Sequence, residues 1–307
     1  MKKISTTFLI TVFAWFGIHS QSIERDVVAS SGDYFENAGV SLSWTLGELA
    51  VETYTAGNIT LTQGFQQPGG TVSGFALDLK VFLDGPFNGT GLNNTLNTSG
   101  FLPLNQPYNT SPWNYNGSES VAAIPDPSVV DWILLELRDA PDAASATAAT
   151  MVARQAVFIL SDGSLTATDG LSFPQFSNPI ANELFVVIWH RNHLGIMSAN
   201  PMTFAGGIYS YDYSTGSGQV TGGTLGYKEL AAGVWGMVGG DGNSDNQVSN
   251  QDKNDVWAVE AGSSGYLQGD FSMDTQVNNN DKNDVWVLNS GTGGQVPDNG
   301  YVSGVPE

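Results

Sequence analysis

Residues 131–138 read DWILLELR, and residues 184–191 read LFVVIWHR. Both are largely apolar runs of strand length, which suits central strands of a β-sheet, and residues 155–161 are similar. Residues 75–83 alternate instead, as do residues 208–213. In the first of these, alternation places Leu77, Leu79, Val81 and Leu83 on one face and Asp78, Lys80 and Phe82 on the other.

Glycine- and proline-rich turns separate these runs, and no long helical period appears. The alanine-rich stretch 140–151 has room for a helical turn or more. Because the strands lack a strand–helix–strand rhythm, residues 73–235 are predicted to form an antiparallel β-sandwich. The expected fold class is therefore mainly β: this sandwich, a small N-terminal β module, and a C-terminal module of two loops and two helices.

The N-terminus has the pattern of a secretory signal peptide, predicted over residues 1–20. Lys2 and Lys3 form a basic start, residues 8–17 are apolar, and small polar residues follow. The apolar part is shorter than the roughly 20 residues of a membrane span. We therefore expect a secreted chain with no membrane span in its mature part.

Residues 22–67 are predicted to form the small β module. Three short strands are expected, over residues 40–44, 49–54 and 59–65, with turns at glycine. The following segment QQPGG is typical of a linker.

Composition excludes several classes of protein. The chain has 307 residues, no cysteine and a net charge of −20. Without cysteine there are no disulfides, thiolate zinc sites or cysteine nucleophiles, and no lipid attachment through an N-terminal cysteine. The ten Lys and Arg residues less Lys2 and Lys3 leave eight, too few for the basic patch that nucleic acid requires. A divalent cation is the natural partner for so acidic a chain.

One internal repeat lies near the C-terminus. Residues 241–260 read DGNSDNQVSNQDKNDVWAVE, and residues 270–289 read DFSMDTQVNNNDKNDVWVLN. A tandem unit this similar indicates a duplicated structural element. We place the module at residues 239–290 and a flexible tail at residues 291–307.

Each copy has the spacing of oxygen ligands that a calcium loop needs. Calcium takes about six to eight oxygens, and these come from positions 1, 3, 5, 7, 9 and 12 of the loop. Position 7 contributes its main-chain carbonyl, and position 9, here Ser249 or Asn278, often acts through water. The candidate metal ligands of the first loop are Asp241, Asn243, Asp245, Gln247 and Asp252; those of the second are Asp270, Ser272, Asp274, Gln276 and Asp281.

The alternative is an acidic turn region without metal, because Asp and Asn are common in turns. Two loops in matching register, each followed by an apolar helical segment, favour metal binding instead. Nine carboxylates face two lysines over residues 241–284, and this self-repulsion opposes folding without a cation. We expect Val248 and Val277 to pair across the loops, and short helices to hold Val256-Trp257 and Val285-Trp286.

The two predicted Ca²⁺ sites are unequal. Position 6, usually glycine, is Asn246 in the first loop and Thr275 in the second. Asn tolerates a left-handed backbone, whereas a β-branched residue does so poorly. Position 3 of the second loop is Ser272, a weaker ligand than Asp or Asn. We therefore expect the second site to be the weaker one, with both near the affinity of about 10⁻⁴–10⁻³ M found in extracellular modules.

These residues resemble the type I dockerin repeat, which has two calcium loops, each with one helix and Asp at position 12. The resemblance covers residues 239–290. It implies a calcium-stabilised docking module and a cohesin-like protein as partner. Positions 10 and 11 help to contact the partner in that family, which implies partner-binding roles for Asn250, Gln251, Asn279 and Asn280.

Other segments also look familiar. Residues 40–68, with SWTLGE and LTQGFQQP, look like the N-terminal module of secreted proteins from gliding-type Gram-negative bacteria. The segments VFLDGPFNGTG, QPYNTSPWNYNGSESV, VDWILLELRDA and WHRNHLGIMSA resemble a hemagglutinin- or adhesin-like domain of large surface proteins. These resemblances imply a secreted or cell-surface protein. The export route stays open, because we recognise neither a lipobox cysteine nor a type IX sorting domain.

His190-Arg191-Asn192-His193 is the leading catalytic candidate. A metal or acid–base role needs both imidazoles to converge, which requires the strand to end at His190. The alternative is a strand end whose polar groups brace the next loop. Asp131 and Glu136 are candidates for a glycosidase pair, or else salt-bridged carboxylates. No catalytic set is complete, so we expect a protein that is not an enzyme.

Tyr108, Trp113 and Tyr115 lie in one loop, where their rings either stack on a sugar or pin the loop to the sandwich. Two functions stay open. The first is a secreted, non-catalytic calcium-binding surface, adhesion or scaffolding protein with a docking end. The second is a carbohydrate-binding or glycoside-hydrolase-associated component of a polysaccharide-degrading system, because dockerin-like ends often accompany such enzymes.

Overall fold

The computed structural model describes residues 74–298 and, before them, the backbone of four strands. The chain divides into two compact units, Met1–Gly70 and Thr71–Glu307. The predicted signal peptide lies outside the described residues, as does the end of the predicted tail from residue 299. The finer domain boundaries stay a prediction.

Two hairpins form the described part of the first unit. Strand β1 (Ser31–Asn37) pairs antiparallel with β2 (Val40–Leu46), and β3 (Thr53–Ala56) pairs antiparallel with β4 (Ile59–Thr62). The sequence predicts three strands here, and the additional one is β1. Its sequence, SGDYFEN, has no alternating apolar face and so gives no strand signal.

The second unit contains two larger sheets and a hairpin. In the five-stranded sheet all pairs are antiparallel, in the order β11-β10-β6-β7-β8. Its strands are β6 (Val129–Ala140), β7 (Met151–Leu160), β8 (Leu165–Thr166), β10 (Glu183–His190) and β11 (His193–Met197). The hairpin is β14 (Tyr227–Ala231) with β15 (Val234–Met237).

The four-stranded sheet has the order β12-β13-β5-β9. Its strands are β5 (Phe75–Lys80), β9 (Gln175–Phe176), β12 (Thr203–Ala205) and β13 (Ile208–Asp212). Strands β13 and β5 run parallel, and the other two pairs are antiparallel. The protein is thus mainly β with antiparallel sheets, as the sequence predicts, and this parallel pair is the exception among its described strands.

Helices are few and short. Helix α1 spans Thr95–Thr98, and single 3₁₀ turns span Ala148–Thr150, Tyr213–Thr215, Ser217–Gln219 and Gly223–Leu225. Two longer helical segments form the second half of each copy of the repeat. The first loop helix is a π-helical stretch, Asp252–Trp257, continued by an α-helical turn, Ala258–Glu260; the second loop helix is Asp281–Trp286 continued by Val287–Asn289. None of the described helices has the length and apolar character that crossing a membrane requires.

Strand β6 is buried on both faces. Ile133, Leu135 and Leu137 share one core with Leu77 and Leu79 of β5, from the other sheet. On its opposite face, Trp132 and Leu134 belong to a second core with residues of the loops after α1. A strand covered on both faces has no solvent side to mark with polar residues, which explains the nearly continuous apolar run at 131–138.

The repeat region packs directly onto this β structure. A Cβ atom built on Gly85, just beyond β5, would lie 1.7 Å from the main-chain oxygen of Phe271, so the two backbones are in close contact. Past the second loop helix the chain turns back onto the body. There Val296 is buried in the second core, and Arg138 donates a hydrogen bond to the carbonyl of Pro297. Residues 291–297 of the predicted flexible tail are therefore packed against the rest of the unit.

Candidate metal centre

In each loop, four main-chain amides hold the first and last carboxylates, two amides for each carboxylate. These amides occupy equivalent positions in the two loops. At position 1, Asp241 accepts hydrogen bonds from Asp245 and Asn246, at 3.1 and 3.0 Å. At position 12, Asp252 accepts from Asn243 and Ser249, at 3.1 and 2.6 Å. The loop backbone therefore wraps around these two side chains and holds them in the loop interior.

The second loop repeats this pattern residue for residue. Asp270 accepts from the amides of Asp274 and Thr275, at 3.1 and 2.8 Å. Asp281 accepts from those of Ser272 and Asn278, at 2.9 and 2.7 Å. The similarity of the two loops thus extends from sequence to hydrogen bonding.

The remaining candidate ligands lie nearer to solvent. Asn243 and Asp245 are exposed, and the Asn243 side-chain amide donates to Asp245 at 2.9 Å. Ser272 and Asp274 are half-buried. At position 7, Gln247 and Gln276 each donate a main-chain N–H to the carboxylate two residues earlier, at 2.9 Å. Within the described residues, no group of three or more His, Asp or Glu side chains is arranged to hold a metal ion.

The left-handed backbone expected at position 6 is present in both loops. Asn246 has φ 69° and Thr275 has φ 82°. The Asn246 side chain compensates, because its Oδ1 accepts the amide of Gly195 at 2.8 Å. Thr275 is β-branched, and its side chain carries the steric cost of this conformation without an equivalent bond.

Burial sets the electrostatics of the loops. Asp241, Asp252, Asp270 and Asp281 are all at most 2% exposed. Burial raises the pKa of Asp252 to about 6 and that of Asp270 to about 7. Burial also raises the pKa of Asp241, and its neighbours Asp252 and Asp245 raise it further. Buried, mutually repelling carboxylates with oxygen-rich surroundings fit a hard divalent cation such as calcium.

The two repeats exchange contacts. The sequence predicts that Val248 and Val277 pair with each other, and this is wrong, although both are fully buried. The main-chain N–H of Val248 donates to the carbonyl of Thr292, beyond the second repeat. That of Val277 donates to the carbonyl of Ser263, beyond the first. Each position-8 residue therefore pairs with the segment that follows the other repeat's helix. The main-chain partner of each position-8 residue thus comes from outside its own repeat.

The tryptophans and lysines of DKNDVW follow the same exchange. Trp257 donates to the carbonyl of Asn278, and Trp286 donates to that of Ser249, both at 2.8 Å. The Nζ of Lys253 lies 5.1 Å from the ring centre of Trp286, and that of Lys282 lies 4.7 Å from Trp257. The unchanged DKNDVW motif thus supplies the contacts between the two repeats.

The predicted partner-binding residues Asn250, Gln251, Asn279 and Asn280 are exposed at the starts of the two loop helices. The Oδ1 atoms of Asn250 and Asn279 accept hydrogen bonds from Lys253 and Lys282, at 3.2 and 3.3 Å.

His190 and His193 do converge, because strand β10 ends at His190. Their Nδ1 atoms are 2.9 Å apart, and His190 Nε2 lies 3.2 Å from Asp131 Oδ2. Burial lowers the pKa of both imidazoles, so they are neutral at pH 7. A consistent arrangement has His193 donating to His190, and His190 donating to Asp131. Both rings are at most 1% exposed, which fits a structural chain of hydrogen bonds.

Strands β10 and β11 form a hairpin, and its tip, residues Arg191 and Asn192, is inserted between the two loops. Asn192 donates to the carbonyl of Asp270 at 2.8 Å, and the guanidinium of Arg191 donates to that of Leu267. On the other side, Ser244 Oγ donates to the carbonyl of Arg191 at 2.6 Å. The segment from His190 to His193 therefore braces loops that lie 50 to 80 residues away in sequence. In the sequence, the one signal of this role was a run of polar residues at the end of an apolar strand.

The other catalytic candidates also have structural partners. Glu136 forms ion pairs with Arg138 at 2.8 Å and Arg154 at 2.7 Å. Burial would raise the pKa of Asp131, but the guanidinium of Arg191 and the bond from His190 outweigh burial and lower it. Both carboxylates thus have cationic partners within the protein.

The aromatic loop is pinned to the sheet. Tyr108 is fully buried and donates its hydroxyl to the carbonyl of Trp132 at 2.7 Å. Trp113 packs edge-on against Tyr108, with ring centres 5.0 Å apart, and Tyr115 donates to Glu119 at 2.5 Å.

No protein-family model, curated protein or solved structure matches this chain significantly.

Replacing Thr275 with glycine should stabilise the protein by about 0.5–1 kcal/mol, because relief of left-handed strain exceeds the entropy cost of glycine. Urea unfolding measures the change. The matched control is Asn246→Gly, which loses the buried bond to Gly195 and should destabilise by about 1 kcal/mol. Stabilisation by both substitutions, or by neither, would contradict the proposed asymmetry of the loops.

The calcium-free protein should lose stability as pH rises from about 4 to about 7. A carboxyl whose folded pKa is raised favours folding while protonated, and this contribution disappears as pH passes the folded values of Asp252 and Asp270. Calcium should then raise the melting temperature more at about pH 7.5 than at about pH 5. Scanning calorimetry with calcium and with chelator checks this, and equal increments at both pH values would refute it.

Proposed function

We propose that this chain is a secreted, non-catalytic calcium-binding protein of the cell surface whose two dockerin-like loops form a docking end. The observation that carries the proposal is the duplicated arrangement of buried carboxylates. In both loops the carboxylates at positions 1 and 12 accept hydrogen bonds from the main-chain amides at positions 3, 5, 6 and 9. We further infer that the two large sheets form a β-sandwich that supports this end, because Leu77 and Leu135, from different sheets, share one core.

The chain's own residues supply the parts that a calcium site needs. Asp241 and Asp252 in the first loop, and Asp270 and Asp281 in the second, would be the anchoring ligands, with positions 3, 5 and 7 completing each oxygen set. Bound calcium supplies the positive charge that offsets the desolvation and repulsion of these carboxylates. The main-chain amides orient the carboxylates and leave lone pairs free, since an ionised carboxylate accepts about four hydrogen bonds or metal contacts.

The exposed surface of the loop helices supports a docking role. Val259 and Leu288 occupy equivalent positions in the two repeats, and they are 75% and 66% exposed. Together with the exposed amides at positions 10 and 11, they give each helix an apolar and hydrogen-bonding outer surface. Such a mixture suits a protein partner of the cohesin-like kind.

Substituting one anchoring aspartate at a time should remove one calcium site at a time. Asp252→Asn and Asp281→Asn each keep the side-chain shape but remove the charge. By titration calorimetry, the unmodified protein should bind two calcium ions, Asp252→Asn should leave the weaker site, and Asp281→Asn the stronger. The matched controls are Asp255→Asn and Asp284→Asn, which alter exposed carboxylates on the same helices and should leave both sites. No calcium uptake by the unmodified protein would refute the proposal.

A second candidate function, glycan binding, is favoured by one cavity. It has a volume of about 160 Å³ and borders the first loop. The lining combines the rings of Trp113 and Trp189 with Arg154 and the polar residues Asp245 and Asn246. Aromatic faces next to hydrogen-bonding groups suit a single sugar unit, and this would place the protein in a polysaccharide-degrading system.

Glycan binding should require Trp113. A glycan array probed in calcium and in chelator should show binding that Trp113→Ala abolishes, because the substitution removes an aromatic wall of the cavity. Trp235→Ala serves as control, since Trp235 lies on β15 and does not line the cavity. Absence of binding to any glycan by the unmodified protein would exclude this second function.

A further inference from the structure

Three side chains meet where β14 approaches the end of the second loop helix. Lys228 Nζ lies 3.0 Å from Oδ1 of Asn289 and 2.9 Å from Oδ2 of Asp84. The same Asp84 oxygen accepts from the Asn289 amide nitrogen at 2.6 Å. An amine, a carboxamide and a carboxylate thus form a closed triangle, and neither the metal loops nor the catalytic candidates involve any of the three.

The triangle is largely shielded from water. Asn289 is 2% exposed, and the side chains of Asp84 and Lys228 are 12% and 29% exposed. The neighbouring cavity has a mixed lining: Phe87, Leu230, Val285 and Leu288 are apolar, and Asn93, Ser272, Asp274, Asn280 and Asp284 are polar. A second hydrogen bond fixes the amide, because its nitrogen also donates to the carbonyl of Gly239 at 2.8 Å. The amine and the amide are therefore held in contact, which raises their effective concentration.

We propose that Lys228 and Asn289 form an intramolecular isopeptide bond, with Asp84 carrying the proton. Asp84 accepts a proton from the Lys228 ammonium, and the neutral Nζ attacks Cγ of Asn289. Asp84 then delivers the proton to the amide nitrogen, which leaves as ammonia when its bond to Cγ breaks. Nζ loses a second proton to Asp84 as the new amide forms, and Asp84 passes this proton to the ammonia, which departs as ammonium. The balance is one ammonium and one carboxamide giving one secondary amide and one ammonium ion. No oxidant, cofactor or metal is consumed.

The position of Asp84 suits this role, because a general acid–base group must reach both the proton it takes and the atom it protonates. One oxygen of Asp84 is within hydrogen-bond distance of the attacking and of the leaving nitrogen. The chain contains two internal controls. Lys253 with Asn250 and Lys282 with Asn279 are also Lys–Asn pairs, at 3.2 and 3.3 Å, but these hydrogen bonds are exposed. Among the described residues, neither lysine forms an ion pair with a carboxylate.

The bond would connect residues that are 61 positions apart, joining the β14–β15 hairpin to the end of the repeat. A covalent link of this kind restricts the unfolded chain as a disulfide does. Because the chain has no cysteine, it cannot form disulfides, and the isopeptide bond would provide the covalent cross-link instead. The inference does not depend on calcium binding, because none of the three residues is a candidate metal ligand.

Mass spectrometry of the denatured full-length chain tests the proposal. The mass should be lower than the sequence predicts by one ammonia, and a tryptic digest should contain a branched peptide that joins Lys228 to Asn289. The branched peptide is the decisive product, because succinimide formation at an asparagine loses the same mass. The bond should be present whether the protein is kept in calcium or in chelator.

Asp84→Asn and Lys228→Arg should each abolish the branched peptide, whereas Lys253→Arg should retain it. The cross-linked protein should also melt at a higher temperature than the Lys228→Arg variant. Linear peptides from the unmodified protein, with Lys228 open to trypsin and Asn289 intact, would overturn the proposal without requiring any variant to fold.

Discussion

The guanidinium of Arg191 lies between the central sheet and the second loop, and its charge has to be neutralised where it is buried. Asp131 provides the neutralising carboxylate at 2.9 Å, and Tyr266 lies against the guanidinium with its ring centre 4.3 Å away. Tyr266 also donates to the other oxygen of Asp131, at 2.7 Å. Removal of one partner from such a buried pair typically costs about 3–5 kcal/mol, because an unpaired charge remains. The repeat and the sheet are therefore bound into one unit at this point.

The exchange of contacts between the two repeats makes them mutually dependent. Val248 forms main-chain hydrogen bonds with the segment after the second repeat, and Val277 forms them with the segment after the first. Neither loop has its full set of main-chain partners until both copies are folded. A cation in either loop would therefore stabilise the other through these shared hydrogen bonds, which gives the proposed docking end a cooperative character.

Much of the β structure was predictable, because it depends on local periodicity. The apolar runs at 131–138 and 184–191 correspond to β6 and β10, and the alternating run from residue 75 corresponds to β5. Strands β14 and β15 gave no such signal, since they are only five and four residues long and most of their residues are partly buried. The expected pairing of Val248 with Val277 failed because sequence similarity shows that a unit is duplicated but does not show how the copies interlock.

The sequence by itself determined the chemistry of this protein: an acidic chain without cysteine, apolar strands, and two loops whose oxygen-bearing side chains recur at calcium-loop spacing. These properties reside in residue type and short-range spacing, which a sequence displays directly. Only the tertiary structure decided that the tip of the β10–β11 hairpin braces the two loops, and that Asp84, Lys228 and Asn289 meet. Those contacts join residues 50 to more than 200 positions apart, and their geometry follows from how the buried surfaces pack.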